Sequence, residues 1–511
     1  AISPLPIMAS SSDYSRRRFL KHAALAGAAL SLPVPLAARP QSRADLVQVQ
    51  GRVQSGGQGL GGVRVTDGVR IVQTGADGRF ALPSTTRQLF AYLTLPAGYA
   101  IPQNEPGTAR FYQPIAPDAN GTATVQFDLQ PIDSGDEQHA FVALADPQTE
   151  DMAEMERFHQ QTVPDVQQAV QALGRPAFGI GCGDLMFDNL ELFPEYERAV
   201  RRMSLPFFQV IGNHDLDFAS PTDPGSARTF REYFGPTYYS FDRGAVHYVV
   251  LDDVFWNGDS YFGYLDDVQL DWLANDLSYL DAGQPVIVFT HIPPLSTRYR
   301  RAGESQPSPR GSVSNRARLY ALLDPFDAHI IAGHTHESEH RYENGPHEHV
   351  IGATCGAWWS GPICYDGTPK GYAVYEVDGT DIQWRYQSTG HDADHQMRLY
   401  PAGSDPSAPD ELIANVWDAD DGWTIVWYED GIRKGEMARR TGTDPLSEEL
   451  HRGEDLPERR PWVDPVPTDH LFYAPVSDAA ETVRVEATDR FGRTYAATLD
   501  VAAEPAGLGS R

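Results

Sequence analysis

Seven side chains of metal-ligand type stand in five short motifs: Asp146-Pro147-Gln148, Gly183-Asp184, Gly212-Asn213-His214-Asp215, Thr290-His291 and Gly333-His334-Thr335-His336. Asp146, Gln148, Asp184, Asn213, His291, His334 and His336 make a mixed set of carboxylate, amide and imidazole donors, enough for two divalent cations. Singly, each motif has a bland reading. Gly-Asp is commonly a turn, Asn-His-Asp a helix cap, and His291 before Pro293 a loop histidine. What outweighs those readings is repetition, because every motif directly follows a short apolar run.

Those runs are Phe141 to Ala145, Ala177 to Gly181, Pro206 to Ile211, Pro285 to Phe289 and His329 to Ala332, with Val246 to Leu251 as a sixth, and all read as buried strands. Amphipathic segments lie between several of them. Met152 to Leu173, Leu190 to Met203 and Tyr264 to Leu280 carry apolar residues at helical spacing. The alternation predicts a layered α/β domain over 136–393, and in open α/β sheets sites form beyond the carboxyl ends of the strands. Residues as distant as Asp146 and His336 can meet there.

The flanks read differently. Over 46–131, brief apolar runs are broken by Gly, Asp and Asn, as in Thr74-Gly75-Ala76-Asp77-Gly78-Arg79-Phe80, which predicts a small β-sandwich module. A Gly, Ser, Pro and Asp-rich stretch near 394–410 marks a second boundary, and 402–503 returns to short strands. The amino end, Ser15-Arg16-Arg17-Arg18-Phe19-Leu20-Lys21 with the apolar stretch Ala23 to Leu32 and then Ala37-Ala38, is similar to a twin-arginine export signal over 1–38. The expectation is a periplasmic or secreted protein without stable membrane insertion. Its formal charge of -29, from 70 acidic against 41 basic side chains, argues against nucleic acid as a partner. A phosphate site in such a field must carry its own positive charge, most simply metal ions. Of the three cysteines, Cys355 and Cys364 flank a Gly- and Trp-rich loop and could form a local bridge, whereas Cys182 sits in an apolar run.

In order and spacing the five motifs resemble those of calcineurin-like metallophosphoesterases. The resemblance covers the middle half of the chain and implies a four-layer β-sandwich flanked by helices. Transthyretin-like strands before it, a β-sandwich after it, and the segments Phe234 to Phe241 and Trp358-Trp359-Ser360-Gly361 look like a bacterial subfamily with all-β domains at both ends. The likeness implies that Asp184 bridges two ions of Mn, Fe or Zn, that Asp146, Gln148 and His336 complete one site, and that Asn213, His291 and His334 complete the other. It gives His214 the role of protonating the leaving group. Two departures stand out. Gln148 occupies a position usually held by His, which favours a harder ion, and Phe187 replaces the acid that orients His214 in the protein-phosphatase branch, leaving Asp188 or Asp217 to substitute.

The implied chemistry is in-line attack of hydroxide on a small-molecule phosphate mono- or diester. Trp358 and Trp359 are candidate substrate contacts, with packing as the alternative. Arg298, Arg300, Arg301, Arg310 and Arg316 could engage a second phosphate or simply be solvated charge. The competing class is a catalytically inactive secreted binding or adhesion protein that uses its β-modules. The complete ligand set argues against it.

Overall fold

Strands apolar on both faces require a packing partner on each side, and the central part of the chain supplies both. The computed structural model describes residues 45–105, 107–342 and 345–501; the export-signal reading of 1–38 lies outside them. Eleven strands form its two large sheets: β1 (Gln138–Leu144), β2 (Ala177–Cys182), β3 (Phe207–Val210), β4 (Tyr239–Arg243), β5 (Val246–Val250), β6 (Pro285–Phe289), β7 (Asp327–Ala332), β8 (Glu339–Arg341), β9 (His347–Val350), β10 (Gly371–Asp378) and β11 (Asp381–Ser388). One sheet has the order β3-β2-β1-β10-β11, the other β4-β5-β6-β7-β9-β8. The motif-bearing β1, β2 and β3 are mutually parallel, as are β6 and β7.

Alternation along each strand sorts the side chains into layers. Phe141 and Ala143 point into the space between the sheets, where Phe141 stacks on Phe178 at 5.2 Å and on Tyr375 at 4.4 Å and meets Phe289 edge-on at 5.6 Å. Val142 and Leu144 join an outer apolar layer with Val166, Phe193, Tyr196 and Val200 of the helices Val163–Leu173 and Phe193–Met203. Outward from the other sheet, Val286 and Val288 of β6 belong to the same connected apolar cluster as Leu270, Trp272 and Leu273 of the helix Asp267–Leu277. Burying each such side chain contributes about 1.5–3 kcal/mol, so the inter-sheet layer fixes the two sheets, and with them motifs that start on different sheets.

The segment read as one helix from Met152 to Leu173 is helical throughout but not uniform. Asp151 caps its start, accepting from the backbone of Ala153 and Glu154, both at 3.0 Å. A π turn, Phe158–Thr162, interrupts it just before Pro164, because proline has no N–H to donate and crowds the preceding turn.

The amino-terminal module is two four-stranded sheets, one containing Leu46–Ser55 and Arg79–Thr85, the other Arg64–Thr66 and Phe90–Leu93. Arg64 leaves it to pair with Asp242 at 2.8 Å and Asp276 at 3.1 Å, both of which also hold the buried His247. The carboxyl-terminal module is likewise two four-stranded sheets, and its first strand, Arg398–Tyr400, precedes residue 402, where composition put its start. It also holds a helix, Pro445–Arg452, capped by Asp444, in a region read only as strands. Among the described residues no helix is long and apolar enough to cross a membrane.

The local bridge considered for Cys355 and Cys364 does not form: all three cysteines are free and buried. Cys355 Sγ lies 3.8 Å from His336 Nδ1, whereas Cys364 Sγ turns to the Ala353 carbonyl at 3.9 Å.

Candidate metal centre

Three of the five motifs leave their strands through a backbone conformation that L-residues rarely adopt. Among the described residues eleven non-glycine positions have positive φ, and five are ligand candidates: Asp146 (49°), Gln148 (39°), Asp184 (50°), His334 (71°) and His336 (52°). Asp188, Trp358 and Trp359 beside them share the property. Such conformations cost on the order of 1–3 kcal/mol each and persist where surrounding structure enforces them, characteristically at functional sites. The accompanying glycines have a steric reason. A Cβ on Gly212 would lie 1.9 Å from the Asp184 nitrogen, and one on Gly183, itself at φ +83°, 2.4 Å from His291 Nδ1.

All seven ligand candidates converge. His291 Nε2 is 3.2 Å from Asp184 Oδ1, 3.2 Å from Asn213 Oδ1 and 3.1 Å from His334 Nδ1. Donor atoms of Asp184, His291 and His334 all lie within 4.8 Å of one another. On the other side, His336 Nε2 is 3.5 Å from Asp146 Oδ1, and the Gln148 amide nitrogen donates to Asp184 Oδ2 at 2.8 Å. A half-turn of that terminal amide brings its oxygen to the same place.

Hydrogen bonds behind the rings decide which nitrogen faces the centre. A backbone carbonyl only accepts, so His291 Nδ1–H donates to Cys182 O at 2.9 Å, His336 Nδ1–H to Gly356 O at 2.7 Å, and His334 Nε2–H to Arg310 O at 2.8 Å. The opposite nitrogens are left as lone pairs aimed inward, the arrangement that orients imidazole ligands. His336 Nε2 is buried with no hydrogen-bond partner. The donor set therefore fits divalent cations. The carboxylates make the centre attract positive charge: burial alone would lower His291, but Asp184 pulls it up to about 10, so a divalent ion would take the place of the Nε2 proton, while burial and then His291 press His334 down to about 3.

His214 stands at the rim of this cluster. Its Nδ1 bonds Asp188 Oδ1 at 2.6 Å and its ring stacks on Phe187 at 4.5 Å. This resolves the choice of orienting acid, because Asp217 is spent on Thr229, accepting from its nitrogen at 2.8 Å and its hydroxyl at 2.7 Å. Trp359 is buried and donates to Pro147 O at 2.9 Å; Trp358, also buried, stacks on His336 at 4.3 Å. Both indoles thereby brace the ligand loops.

Three supporting residues had no assigned role in the sequence. Asp215 accepts from the nitrogens of Leu185, Met186 and Gly212 at 3.1, 3.0 and 2.9 Å, tying the turn after β2 to the turn after β3. Burial, then Asp184, push its carboxyl up to about 7. Asp253 holds the nitrogens of His291 and Ile292, both at 3.2 Å. Arg460, from the carboxyl-terminal module, pairs with Glu150 and Glu154 and donates to the Trp358 carbonyl. Asp215 was visible as part of its motif; nothing local in the sequence marks the other two.

A cleft of about 270 Å³ opens beside His334, lined by Arg298, Tyr299 and Arg310 among others. Of the five arginines considered, Arg301 is buried against Glu337 and Glu339, and Arg298 pairs with Glu337 at 3.1 Å. Arg316 bonds the Val313 carbonyl and Arg300 the Tyr299 hydroxyl. Arg310 meets Ser260 and the ring of Tyr261.

Family comparison supplies an independent reading. Residues 140–338 match the model described as calcineurin-like phosphoesterase, 47–132 that of the N terminal of calcineurin-like phosphoesterase, and 348–495 that of its C terminal. A human protein named serine/threonine-protein phosphatase CPPED1 is 34% identical over 152 residues, 26% of this chain and 46% of that protein. A Nostoc sp. protein named 3',5'-cyclic-nucleotide phosphodiesterase alr5338 is 26% identical over 176 residues, 34% of this chain and 60% of that one. The chain thus spans about half the length of the curated relatives it matches. Purple acid phosphatase PPD1 from yellow lupin superposes with a TM-score of 0.36 at 13% identity, over 64% of this chain and 67% of that one, too loosely to add to the assignment. With the three models matching successive segments from residue 47 to residue 495, the chain belongs to the calcineurin-like phosphoesterases.

Proposed function

We propose that the protein is an exported, metal-dependent hydrolase of small phosphate mono- or diesters, working at a dinuclear centre of Mn, Fe or Zn. The observation that carries this is the set of inward-facing lone pairs on His291, His334 and His336 around the carboxylates of Asp146 and Asp184. Asp146, Gln148, Asp184 and His336 would hold one ion, and Asp184, Asn213, His291 and His334 the other. When bound, the ions supply Lewis acidity and a hydroxide nucleophile near neutral pH.

The chain's own residues do the rest. Asp188 holds the His214 ring with one nitrogen toward the carboxylate, so the other is free to donate a proton to the departing oxygen, a contribution of about 10²- to 10⁴-fold. The Arg310 guanidinium, at the cleft wall, would hold a phosphoryl oxygen or a second phosphate. The names of the relatives, a phosphatase and a cyclic-nucleotide phosphodiesterase, are consistent with either ester class.

The test is hydrolysis of p-nitrophenyl phosphate and bis(p-nitrophenyl) phosphate by metal-stripped protein restored separately with Mn²⁺, Zn²⁺ and Fe²⁺. Metal-restored turnover that Asp184→Ala lacks is the expected result, and the preferred ester assigns the class. A protein that binds no ion and turns over neither ester would leave the binding-module reading. Export is tested by cell fractionation: replacing Arg16 and Arg17 by Lys should strand the protein in the cytoplasm.

A further inference from the structure

A second histidine cluster lies away from the ligand loops, at the edge of the inter-sheet layer. Parallel pairing sets His329 of β7 opposite His347 of β9, and antiparallel pairing sets His340 of β8 opposite His349. Because His347 and His349 are two apart, their rings share one face of β9, while Glu348 turns to the other face and pairs with Arg341. The four imidazoles pack around Trp384 of β11 at 4.7 to 5.9 Å. Tyr342 stacks on His347 at 3.9 Å, and Phe491 of the carboxyl-terminal module closes on Trp384 at 4.7 Å.

We infer that His329, His347 and His349 form a further metal site for one imidazole-preferring divalent ion of the Zn²⁺ class, separate from the Asp184 centre. One ring nitrogen from each of the three lies within 4.8 Å of those of the other two. His329 Nδ1 and His349 Nε2 are 3.0 Å apart, near the separation of roughly 3.3 Å that two nitrogens take around a tetrahedral ion with Zn–N bonds of about 2.0–2.1 Å. The groups behind the rings have the form found behind metal-bound imidazoles. Tyr375 OH meets His349 Nδ1 at 3.2 Å, Asp418 Oδ1 lies 3.0 Å from His340 Nε2, and His340 Nδ1 lies 3.0 Å from His347 Nε2. The nearby cation, Arg490, is neutralised by Asp420 at 2.7 Å. An all-imidazole donor set favours a borderline ion such as Zn²⁺ over Mg²⁺ or Ca²⁺. Bound there, the ion would rigidify the sheet edge on which Asp418, Asp420 and Phe491 of the carboxyl-terminal module dock.

The test counts ions in the full chain after Zn²⁺ loading and desalting, in the native sequence and in Asp184→Ala. Adding His347→Ala with His349→Ala, or His329→Asn alone, should remove one Zn²⁺ per chain in both backgrounds, with ester turnover of the native sequence unchanged. This difference is independent of what the Asp184 centre holds. Equal zinc content with and without these substitutions within each background overturns the site. Should the variants fail to fold, anomalous diffraction from Zn²⁺-soaked crystals of the unaltered chain decides: a peak among the three rings supports the site, and its absence shows a hydrogen-bonded imidazole stack without an ion.

Discussion

Replacing Asp188 by Asn isolates the proposed role of His214. His214 Nδ1 and Asp188 Oδ1 are 2.6 Å apart, and the Asp188 side chain is 49% exposed. Hydrogen bonds to charged groups contribute about 1.5–3 kcal/mol, and this degree of exposure places the pair at the lower end. Near 1.4 kcal/mol the loss is about tenfold in rate. The loss should depend on the leaving group, because an acid catalyst matters most when the departing oxygen is a poor leaving group. Steady-state kcat for a series of aryl phosphates should fall about tenfold for phenol and less than about twofold for 2,4-dinitrophenol. Asp217→Asn should lower the melting temperature through the lost Thr229 contacts while leaving the leaving-group dependence intact. A uniform loss across the series in Asp188→Asn, or none, would refute the assignment of His214 as proton donor.

Four further outcomes follow from the geometry. Arg310→Ala should raise KM for phosphate esters several-fold with little change in kcat, since the main-chain carbonyl rather than the side chain holds His334; an unchanged KM would remove Arg310 from substrate binding. Gly212→Ala must push the Asp184 turn aside, an overpacking cost of about 1–3 kcal/mol, and should lose metal affinity together with thermal stability, read by elemental analysis and calorimetry. His247 is lowered by burial but raised more by Asp276 and Asp242, to about 9, so its stabilising charge is fully present below about pH 6.5 and is lost as pH rises through 9. Chemical denaturation of the native sequence should therefore lose on the order of 3 kcal/mol across that window, a slope that His247→Gln flattens. Alkylation of the unfolded chain without reductant should modify three thiols, and a mass two hydrogens short would restore the Cys355–Cys364 bridge.

Much of the centre was legible because its ligands follow strands whose apolar runs are unbroken, and because glycines mark where backbones must approach closely. The sequence also bounded the helices over 190–203 and 264–280 well, since their apolar spacing is strong. What it hid depends on approach in space. Nothing near Asp188 or Asp217 says which of them faces His214, and the Arg310 carbonyl reaches His334 only because the 298–316 loop folds over it. Arg460 reaches Glu154 from more than 300 positions away. The helix Pro445–Arg452 was missed because its single turn-and-a-half of apolar contact, through Leu446 and Leu450, lies among short strands. The His329, His347 and His349 cluster was hidden for another reason: His329 reads as an ordinary strand residue, and His347 and His349, outside every run read as a strand, meet it only through the register between β7 and β9.

The proposed bridging position of Asp184 between two cations is open to electron paramagnetic resonance of metal-stripped protein reloaded with Mn²⁺. Two Mn²⁺ per chain at the centre should give the spectrum of an exchange-coupled pair, collapsing to uncoupled signals or none in Asp184→Ala. Isolated six-line Mn²⁺ signals at full loading of the native sequence, unchanged by that substitution, would contradict it.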